Sequence, residues 1–270
     1  MAESAAPAVD IQSAAKTYPN GTQALDPVSL TIREGEFVTL LGPSGCGKST
    51  LLKMVAGLLG PSDGRIVLWG EPVERVEAAR HRAGHRLSFV FQEATLMPWA
   101  RVQANVRLPL DLAGVARPAA DARVADALKQ VSLEKFTTSL PRELSGGMQM
   151  RVSIARGLVT KPDLLLMDEP FGALDEITRN RLDSDLLALW QAKQLTVVFV
   201  THSIYEAVYL STRVVVMAAR PGRVVDEVAI DEPYPRDASF RVSTGFSAYA
   251  KRLQDSLLRA SAANDDTALA

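Results

Sequence analysis

A glycine-rich segment between an apolar run and a helical pattern carries the clearest chemistry in the chain. It reads Gly42-Pro43-Ser44-Gly45-Cys46-Gly47-Lys48-Ser49-Thr50. Glycines let a backbone wrap a phosphate group, and N–H groups at a helix start bind anions. Lys48 is placed to reach the β and γ phosphates, and Ser49 to bind Mg²⁺. The alternative is a turn that merely caps a helix. The segment Gly42 to Thr50 predicts a bound nucleoside triphosphate, which we interpret as ATP.

An acidic pair ends a second apolar run, Leu164-Leu165-Leu166-Met167-Asp168-Glu169-Pro170. In α/β proteins, ligands bind beyond the carboxyl ends of buried strands. Asp168 is predicted to hold Mg²⁺, directly or through water. Glu169 is predicted to orient and polarise the attacking water. The alternative is that two acids simply end a buried strand.

A third motif, Leu144-Ser145-Gly146-Gly147-Met148-Gln149, opens a helical pattern. A hydroxyl group, exposed N–H groups and the positive end of a helix dipole make a second anion site. One chain holding one triphosphate does not need two phosphate-binding helix starts. The economical interpretation is that Ser145, Gly146 and Gly147 face a nucleotide held by another copy of the chain.

Apolar runs that alternate with helical patterns must position these motifs. Strands are predicted at Phe37–Leu41, Leu87 to Phe91, Leu164 to Met167, Val197 to Thr201 and Val214 to Met217, with a helix over Glu176–Lys193. Such alternation predicts a parallel sheet covered on both faces. Residues 93–160 carry mainly helical signals and are interpreted as an inserted lobe. Residues 1–9 and about 261–270 are expected to be loose tails, and Tyr249 to Leu258 a helix.

Composition excludes several classes of protein. Net charge is −1, which argues against a dedicated nucleic-acid binder. Cys46 is the single cysteine, so an internal disulfide is excluded and a reducing compartment is expected. The N-terminus lacks a secretory signal pattern, and the apolar runs are shorter than the roughly 20 residues that span a bilayer. We therefore expect a chain that is soluble by itself and can dock on a membrane partner.

The order of the three motifs resembles that of the ATP-binding-cassette (ABC) ATPases. Leu144 to Gln149 looks like the family signature, Gly42 to Thr50 like Walker A, and Leu164 to Glu169 like Walker B. The resemblance covers about residues 9–225. It implies an α/β P-loop NTPase (RecA-like) core with a parallel sheet, an N-terminal antiparallel β subdomain and an inserted α-helical subdomain. Residues 226–270 would form a short extension with a helix and a loose tail.

Further site residues come from this resemblance alone. Gln92 resembles the Q-loop glutamine that touches Mg²⁺ and the attacking water. Asp175, in Gly172-Ala173-Leu174-Asp175, resembles the D-loop. His202 resembles the switch histidine at the γ-phosphate, and Tyr18 the aromatic that stacks on adenine. The catalytic set is then Lys48, Glu169 and His202, with ATP and Mg²⁺ required.

Finer resemblance indicates the role. A single cassette of this length resembles the ATPase subunit of a bacterial importer. The segments Leu96 to Val106, Glu206 to Met217 and Arg220 to Val224 look like those of the nitrate/sulfonate/taurine group. The resemblance implies a head-to-tail homodimer, integral membrane permease subunits and, indirectly, a periplasmic solute-binding protein. It would sit peripherally on the cytoplasmic face of the inner membrane, without nucleic acid.

Two departures and two rival functions remain open at this stage. The residue after the switch histidine is commonly Asp and is here Ser203, and the segment Arg75 to Arg86 is unusually long and basic. One rival is an ATP-driven switch or regulatory module not engaged in transport. The other is a DNA-repair or translation cassette, whose tandem cassettes or basic excess are missing here.

Overall fold

The computed structural model describes residues 7–73 and 85–268, with side chains as far as residue 260. It divides the chain into two compact units, residues 1–84 with 194–270 and residues 85–193. Residues 75–84 of the basic segment, including His81, lie outside the described residues. Of the two departures from the family pattern, the structure therefore fully describes only Ser203.

An antiparallel sheet opens the first unit. Its strands run in the order β2-β1-β4-β5. Their bounds are β1 Val9–Thr17, β2 Gln23–Ile32, β4 Asp63–Leu68 and β5 Glu71–Pro72. Strand β1 pairs with both β2 and β4, and register shifts interrupt both ladders. This sheet agrees with the predicted N-terminal antiparallel subdomain.

The same unit contains the parallel strands that carry the glycine-rich segment. Strand β3 (Phe37–Leu41) pairs in parallel with β8 (Thr196–Thr201) on one side and β9 (Arg213–Ala218) on the other. Every residue of β3 and β8 is buried, as expected for strands covered on both faces. Strand β10 (Arg223–Ala229) adds an antiparallel edge to β9.

Three α-helices lie in the described part of the first unit. They are α1 Lys48–Val55, α6 Ile204–Leu210 and α7 Thr244–Ala268. Helix α1 follows β3 through the glycine-rich segment, and α6 follows β8 through His202. Because β3 and β8 are parallel, Gly42 and His202 leave the sheet at the same edge.

The second unit combines two strands with four helices. Strand β6 (Leu87–Val90) pairs in parallel with β7 (Leu164–Asp168), all of whose residues are buried. The helices are α2 Val102–Leu112, α3 Arg117–Gln130, α4 Gly146–Leu158 and α5 Glu176–Lys193. Helices α2 to α4 fall inside the predicted helical lobe, and α5 has the predicted bounds.

Several predicted boundaries differ from the structure. Ala8 and Val9 are fully buried, so the predicted loose N-terminal tail already belongs to the core at these positions. The apolar spacing after Lys48 predicts a helix to about Leu58, but α1 ends at Val55 and Leu58 is exposed. Helix α7 runs to Ala268, where a loose tail was predicted, and β10 crosses the predicted boundary at residue 225.

Candidate nucleotide-binding site

The glycine-rich segment forms a tight loop between β3 and α1. Gly45 and Gly47 have φ angles of +78° and +86°, in the left-handed region that glycine adopts without steric cost. Gly47 is the N-cap of α1. The backbone just before α1 therefore has the left-handed conformations that occur in anion-binding nests.

Close packing supports this loop from behind. A Cβ atom on Gly42 would lie 2.5 Å from the carbonyl oxygen of Met217 in β9. A Cβ on Gly47 would lie 2.5 Å from Cδ2 of Leu25 in β2. Glycine is thus required at both positions by the first unit itself, and the loop has little room to move backward.

Lys48 is folded into the loop. Its side chain is only 4% exposed, and Nζ donates hydrogen bonds to the carbonyl oxygens of Gly42 at 2.7 Å and Pro43 at 2.9 Å. These bonds place a positive charge at the loop before any nucleotide arrives. Ser49 follows at the start of α1 and is partly buried.

Cys46 lies within the same loop and is fully buried. Burial raises the pKa of its thiol, with the neighbouring Lys48 ammonium opposing that shift. A buried thiol with a raised pKa is a poor nucleophile near neutral pH. The structure therefore supports a packing role for Cys46 and not a reactive one.

Tyr18 lies just beyond the end of β1 and next to the start of α1. Its hydroxyl group hydrogen-bonds with Oγ1 of Thr50 at 3.3 Å. Nζ of Lys16 lies 5.8 Å from the centre of its ring. The predicted adenine-stacking residue and the phosphate loop are therefore brought together within the first unit.

The acidic pair lies at the end of β7. Asp168 is 6% exposed, and Glu169 has a φ angle of +42°, an uncommon value for a residue with a side chain. Gln92 is exposed and follows β6 by two residues. Because β6 and β7 are parallel, Gln92, Asp168 and Glu169 leave their strands at one edge of the pair. The second unit thus groups all three.

Ser145 begins α4 as predicted. Its Oγ atom accepts the N–H of Met148 at 3.3 Å, so Ser145 is the N-cap of this helix. A Cβ on Gly147 would lie 2.8 Å from Cγ2 of Thr178. Among the described residues, a Cβ on Gly146 would meet only Leu174, at 4.0 Å. Packing within the chain therefore requires glycine at position 147 but not at position 146.

Asp175 precedes α5 and is exposed. Its Oδ1 accepts the backbone N–H of Thr178 at 3.0 Å. This hydrogen bond is the main reason why the pKa of Asp175 is lowered. Asp175 thus caps α5, and Thr178 links it to Gly147, so the predicted signature and D-loop residues lie near each other in the second unit.

His202 is exposed between β8 and α6. Ser203, the departure from the usual Asp, is the N-cap of α6, and its Oγ accepts the N–H of Glu206 at 3.3 Å. Asp and Ser are similarly good N-caps. The substitution therefore preserves the start of the helix that follows the histidine.

Sequence reasoning missed the turn that supports the phosphate loop. A Cβ on Gly222 would lie 2.3 Å from the carbonyl oxygen of Cys46. Gly222 also donates its N–H to the oxygen of Ala24 at 3.1 Å and accepts the N–H of Asp26 at 2.8 Å. The Pro-Gly pair before β10 indicates a turn, but this local pattern does not show that the turn packs against the phosphate loop.

Gly222→Ala is expected to weaken ATP binding about tenfold, because the added methyl group must push the backbone of the loop away. Gly60→Ala is the matched control, since a Cβ at Gly60 meets nothing within 4 Å among residues 7–73 and 85–268. The measurement is a nucleotide titration of both variants. Equal affinity in the two would contradict a supporting role for Gly222.

The residues present suit Mg²⁺ held together with a nucleotide. Within the described part of the chain, no group of three or more His, Cys, Asp or Glu side chains is arranged to hold a metal. Mg²⁺ at nucleotide sites typically uses one or two protein ligands together with phosphate oxygens. The hydroxyl of Ser49 in the first unit and the buried carboxylate of Asp168 in the second are each oxygen ligands of the kind that Mg²⁺ prefers.

Within residues 7–73 and 85–268, no helix is both long enough and apolar enough to cross a bilayer.

The chain is similar in sequence to known proteins. The family model described as "ABC transporter" matches residues 25–172. The taurine import ATP-binding protein TauB of Rhizobium johnstonii is 50% identical over 217 residues, 80% of each chain. The aliphatic sulfonates import ATP-binding protein SsuB of Bacillus cereus is 41% identical over 252 residues, covering 91% of this chain and 94% of SsuB.

A solved structure is similar as well. It is an ATP-binding cassette dimer bound to ADP and phosphate, with a TM-score of 0.74 and 33% identity, covering 83% of this chain and all of that one. The predicted P-loop NTPase fold and the predicted ATPase activity are confirmed. The relatives named above give no support to a regulatory module outside transport. The chain belongs to the ABC transporter family.

Proposed function

We propose that the chain powers the uptake of a small sulfonate-like anion, such as taurine or an aliphatic sulfonate, through separate membrane subunits. The chain is the ATP-hydrolysing subunit of an ABC importer. The observation that carries the proposal is the pair of glycine-containing helix starts, at α1 and α4, in a chain whose relatives include a taurine import ATP-binding protein. Nitrate remains within the same chemical class of substrate.

Hydrolysis is proposed to depend mainly on positioning and charge. Tyr18 stacks on adenine, and the loop from Gly42 to Thr50 holds the phosphates with the ammonium group of Lys48. Ser49, Gln92 and Asp168 would hold Mg²⁺, which neutralises phosphate charge when bound. Glu169 directs the attacking water and His202 contacts the γ-phosphate. These roles come from the family motifs, and the positions of the residues within each unit support them.

The site is proposed to be completed by a second copy of the chain. Gly146 lies at the first position of α4 and faces no close neighbour within the described parts of its own chain, apart from Leu174. Its N–H and that of Gly147 are at the positive end of the helix dipole. In a head-to-tail dimer, Ser145, Gly146 and Gly147 of each chain contact the γ-phosphate held by the other. Asp175 lies beside them.

Gly146→Asp is expected to lower ATP hydrolysis about 100-fold or more, because a carboxylate would face the γ-phosphate. The fold should be unharmed or slightly stabilised, since an acid in the first turn favours a helix by about 0.3–1 kcal/mol. Turnover and melting temperature are measured together. Gly146→Asn separates charge from size and should be less impaired. A Gly146→Asp variant with wild-type turnover would exclude the partner-facing role.

The membrane partner is proposed to dock on the segment that follows Gln92. Trp99 is 78% exposed, and Phe91 and Leu112 are also exposed apolar side chains in the same unit. Exposed aromatic side chains are enriched at protein interfaces. We propose that Glu93 to Trp99 contacts an integral permease, which places the chain peripherally at the cytoplasmic face of the inner membrane. A periplasmic solute-binding protein would deliver the anion to that permease.

Uptake in a deletion strain tests the proposed function. Loss of the chain should abolish accumulation of labelled taurine or of an aliphatic sulfonate, and the wild-type chain should restore it. The Glu169→Gln variant should fail to restore it. A polytopic membrane protein should co-purify with the tagged chain. Unchanged uptake of taurine, sulfonates and nitrate would overturn the substrate class.

A further inference from the structure

A buried arginine lies in the segment between β10 and α7. Arg236 is 5% exposed, although its side chain is charged. Its guanidinium group donates hydrogen bonds of 2.9–3.1 Å to five backbone carbonyl oxygens, those of Val208, Tyr209, Ser211, Ile230 and Glu232. Nη1 faces three of these oxygens and Nη2 the other two, so both ends of the planar fork are surrounded by carbonyl groups.

Three of these carbonyls belong to the end of α6. The last four carbonyls of any helix lack partners within the helix, and a cation at that end also favours the helix dipole. Arg236 supplies both, to Val208, Tyr209 and Ser211. Helix α6 is therefore capped at its C-terminus by a side chain that comes from about 25 residues later in the chain.

His202 lies just before the same helix, next to its N-cap Ser203. Helix α6 has seven residues, so it is only about 10 Å long at 1.5 Å per residue. At its start, Ser203 caps the helix and Thr201 donates a hydrogen bond to the buried Glu206. A helix of two turns thus separates the carbonyls held by Arg236 from His202.

The C-terminal extension also grips α6 through aromatic contacts. Tyr205 of α6 stacks on Phe246 of α7, with ring centres 5.7 Å apart. Phe240 packs edge-on against Phe246 at 5.2 Å. The guanidinium of Arg241 lies 3.5 Å from the ring centre of Tyr209. The extension therefore contacts α6 along its length as well as at its end.

A second connection leads to the phosphate-loop strand. Ser211 donates a hydrogen bond from Oγ to Oγ1 of Thr39 at 2.6 Å, and both side chains are fully buried. Thr39 lies in β3, which ends at Leu41, directly before Gly42 of the phosphate loop. Ser211, whose carbonyl oxygen accepts a hydrogen bond from Arg236, is thus also hydrogen-bonded to the strand that precedes the phosphate loop.

We infer that Arg236 is a positioning residue for His202. By holding the C-terminal carbonyls of α6, it fixes the orientation of the short helix at whose start the histidine lies. The inference rests on the proposed function, because it takes His202 to act on the γ-phosphate. A purely structural arginine would stabilise the fold without acting through the histidine, and that difference can be measured.

Arg236→Gln is expected to lower kcat about tenfold while ATP affinity stays within about twofold, because the phosphate loop keeps its own support. Arg236→Lys keeps the charge but not the fork and should lose less. Leu253→Ala, which removes a buried side chain of α7, is the control for general loosening of the extension. It should reduce stability without a comparable fall in kcat. Equal falls in kcat for Leu253→Ala and Arg236→Gln would overturn the inference.

A double-mutant cycle with His202→Ala separates the inference from the proposed function. If Arg236 acts through the histidine, Arg236→Gln causes no further loss in the His202→Ala background. Multiplying losses would overturn the positioning role while leaving the role of His202 intact. If His202→Ala alone leaves turnover unchanged, the proposed role of His202 fails and the inference with it. Should Arg236→Gln not fold, Arg236→Lys carries the same cycle.

Discussion

The Glu169→Gln variant is expected to bind ATP normally but to hydrolyse it at least about 100-fold more slowly than the wild-type chain. Glutamine keeps the size of the side chain at Glu169, which follows the last residue of β7. An amide, however, cannot polarise water as a carboxylate does. Phosphate release and nucleotide binding are measured on the same preparation.

Glu134→Gln provides the control, because Glu134 is an exposed acid of the second unit outside the proposed site. Its turnover should match that of the wild-type chain. If Glu169→Gln retained more than a third of wild-type turnover, another group would have to direct the water, and the assignment of Glu169 would be wrong.

Lys48→Ala is expected to weaken ATP binding by about 30-fold or more, in line with the roughly 2–5 kcal/mol lost when one partner of a buried charged pair is truncated. The wild-type ammonium is 4% exposed and is already held over the loop by Gly42 and Pro43. Its loss removes the positive charge from the phosphates and takes a donor from both carbonyls. Affinity is measured by nucleotide titration.

Lys53→Ala removes an exposed lysine from the same helix and should leave the affinity unchanged. Lys48→Arg should recover part of the binding, because it retains the charge with a different shape. An affinity for Lys48→Ala within threefold of wild type would mean that the loop binds phosphate through its backbone alone.

Local motifs explain why the phosphate loop and the acidic pair were predicted from the sequence. Gly42 to Thr50 needs its residue types at fixed spacing, between one strand and one helix, so the whole arrangement is visible in one short segment. Asp168 and Glu169 likewise follow a strand whose apolar residues are continuous. The predicted start of α4 at Ser145 has the same local origin.

Features that depend on distant partners could not be predicted in this way. The resemblance implied an antiparallel N-terminal sheet, but residue pattern alone did not give β1, because its ladders contain register shifts and Ser13 has a φ angle of +50°, which break the alternation of a regular strand. The closeness of Gly222 to Cys46 joins positions far apart in sequence. The sequence around Arg236 does not distinguish it from a surface arginine, because the α6 carbonyls that it binds lie elsewhere in the chain.

The two signature glycines show the same distinction. The sequence predicts one shared role for Gly146 and Gly147, at the start of a helix. In the structure, Gly147 is confined by Thr178, whereas Gly146 has room for a side chain. Of these two glycines, Gly146 is the one that no described residue of its own chain requires, and it is the better probe of a second copy.

The mass of the Glu169→Gln variant in solution with ATP and Mg²⁺ tests the composite site most directly. The proposed dimer predicts a species of twice the 29.2 kDa chain mass that contains two ATP molecules. Without nucleotide, or with Gly146→Asp added, the chain should remain a monomer. A Glu169→Gln chain that binds ATP and still has the mass of one chain would contradict the account.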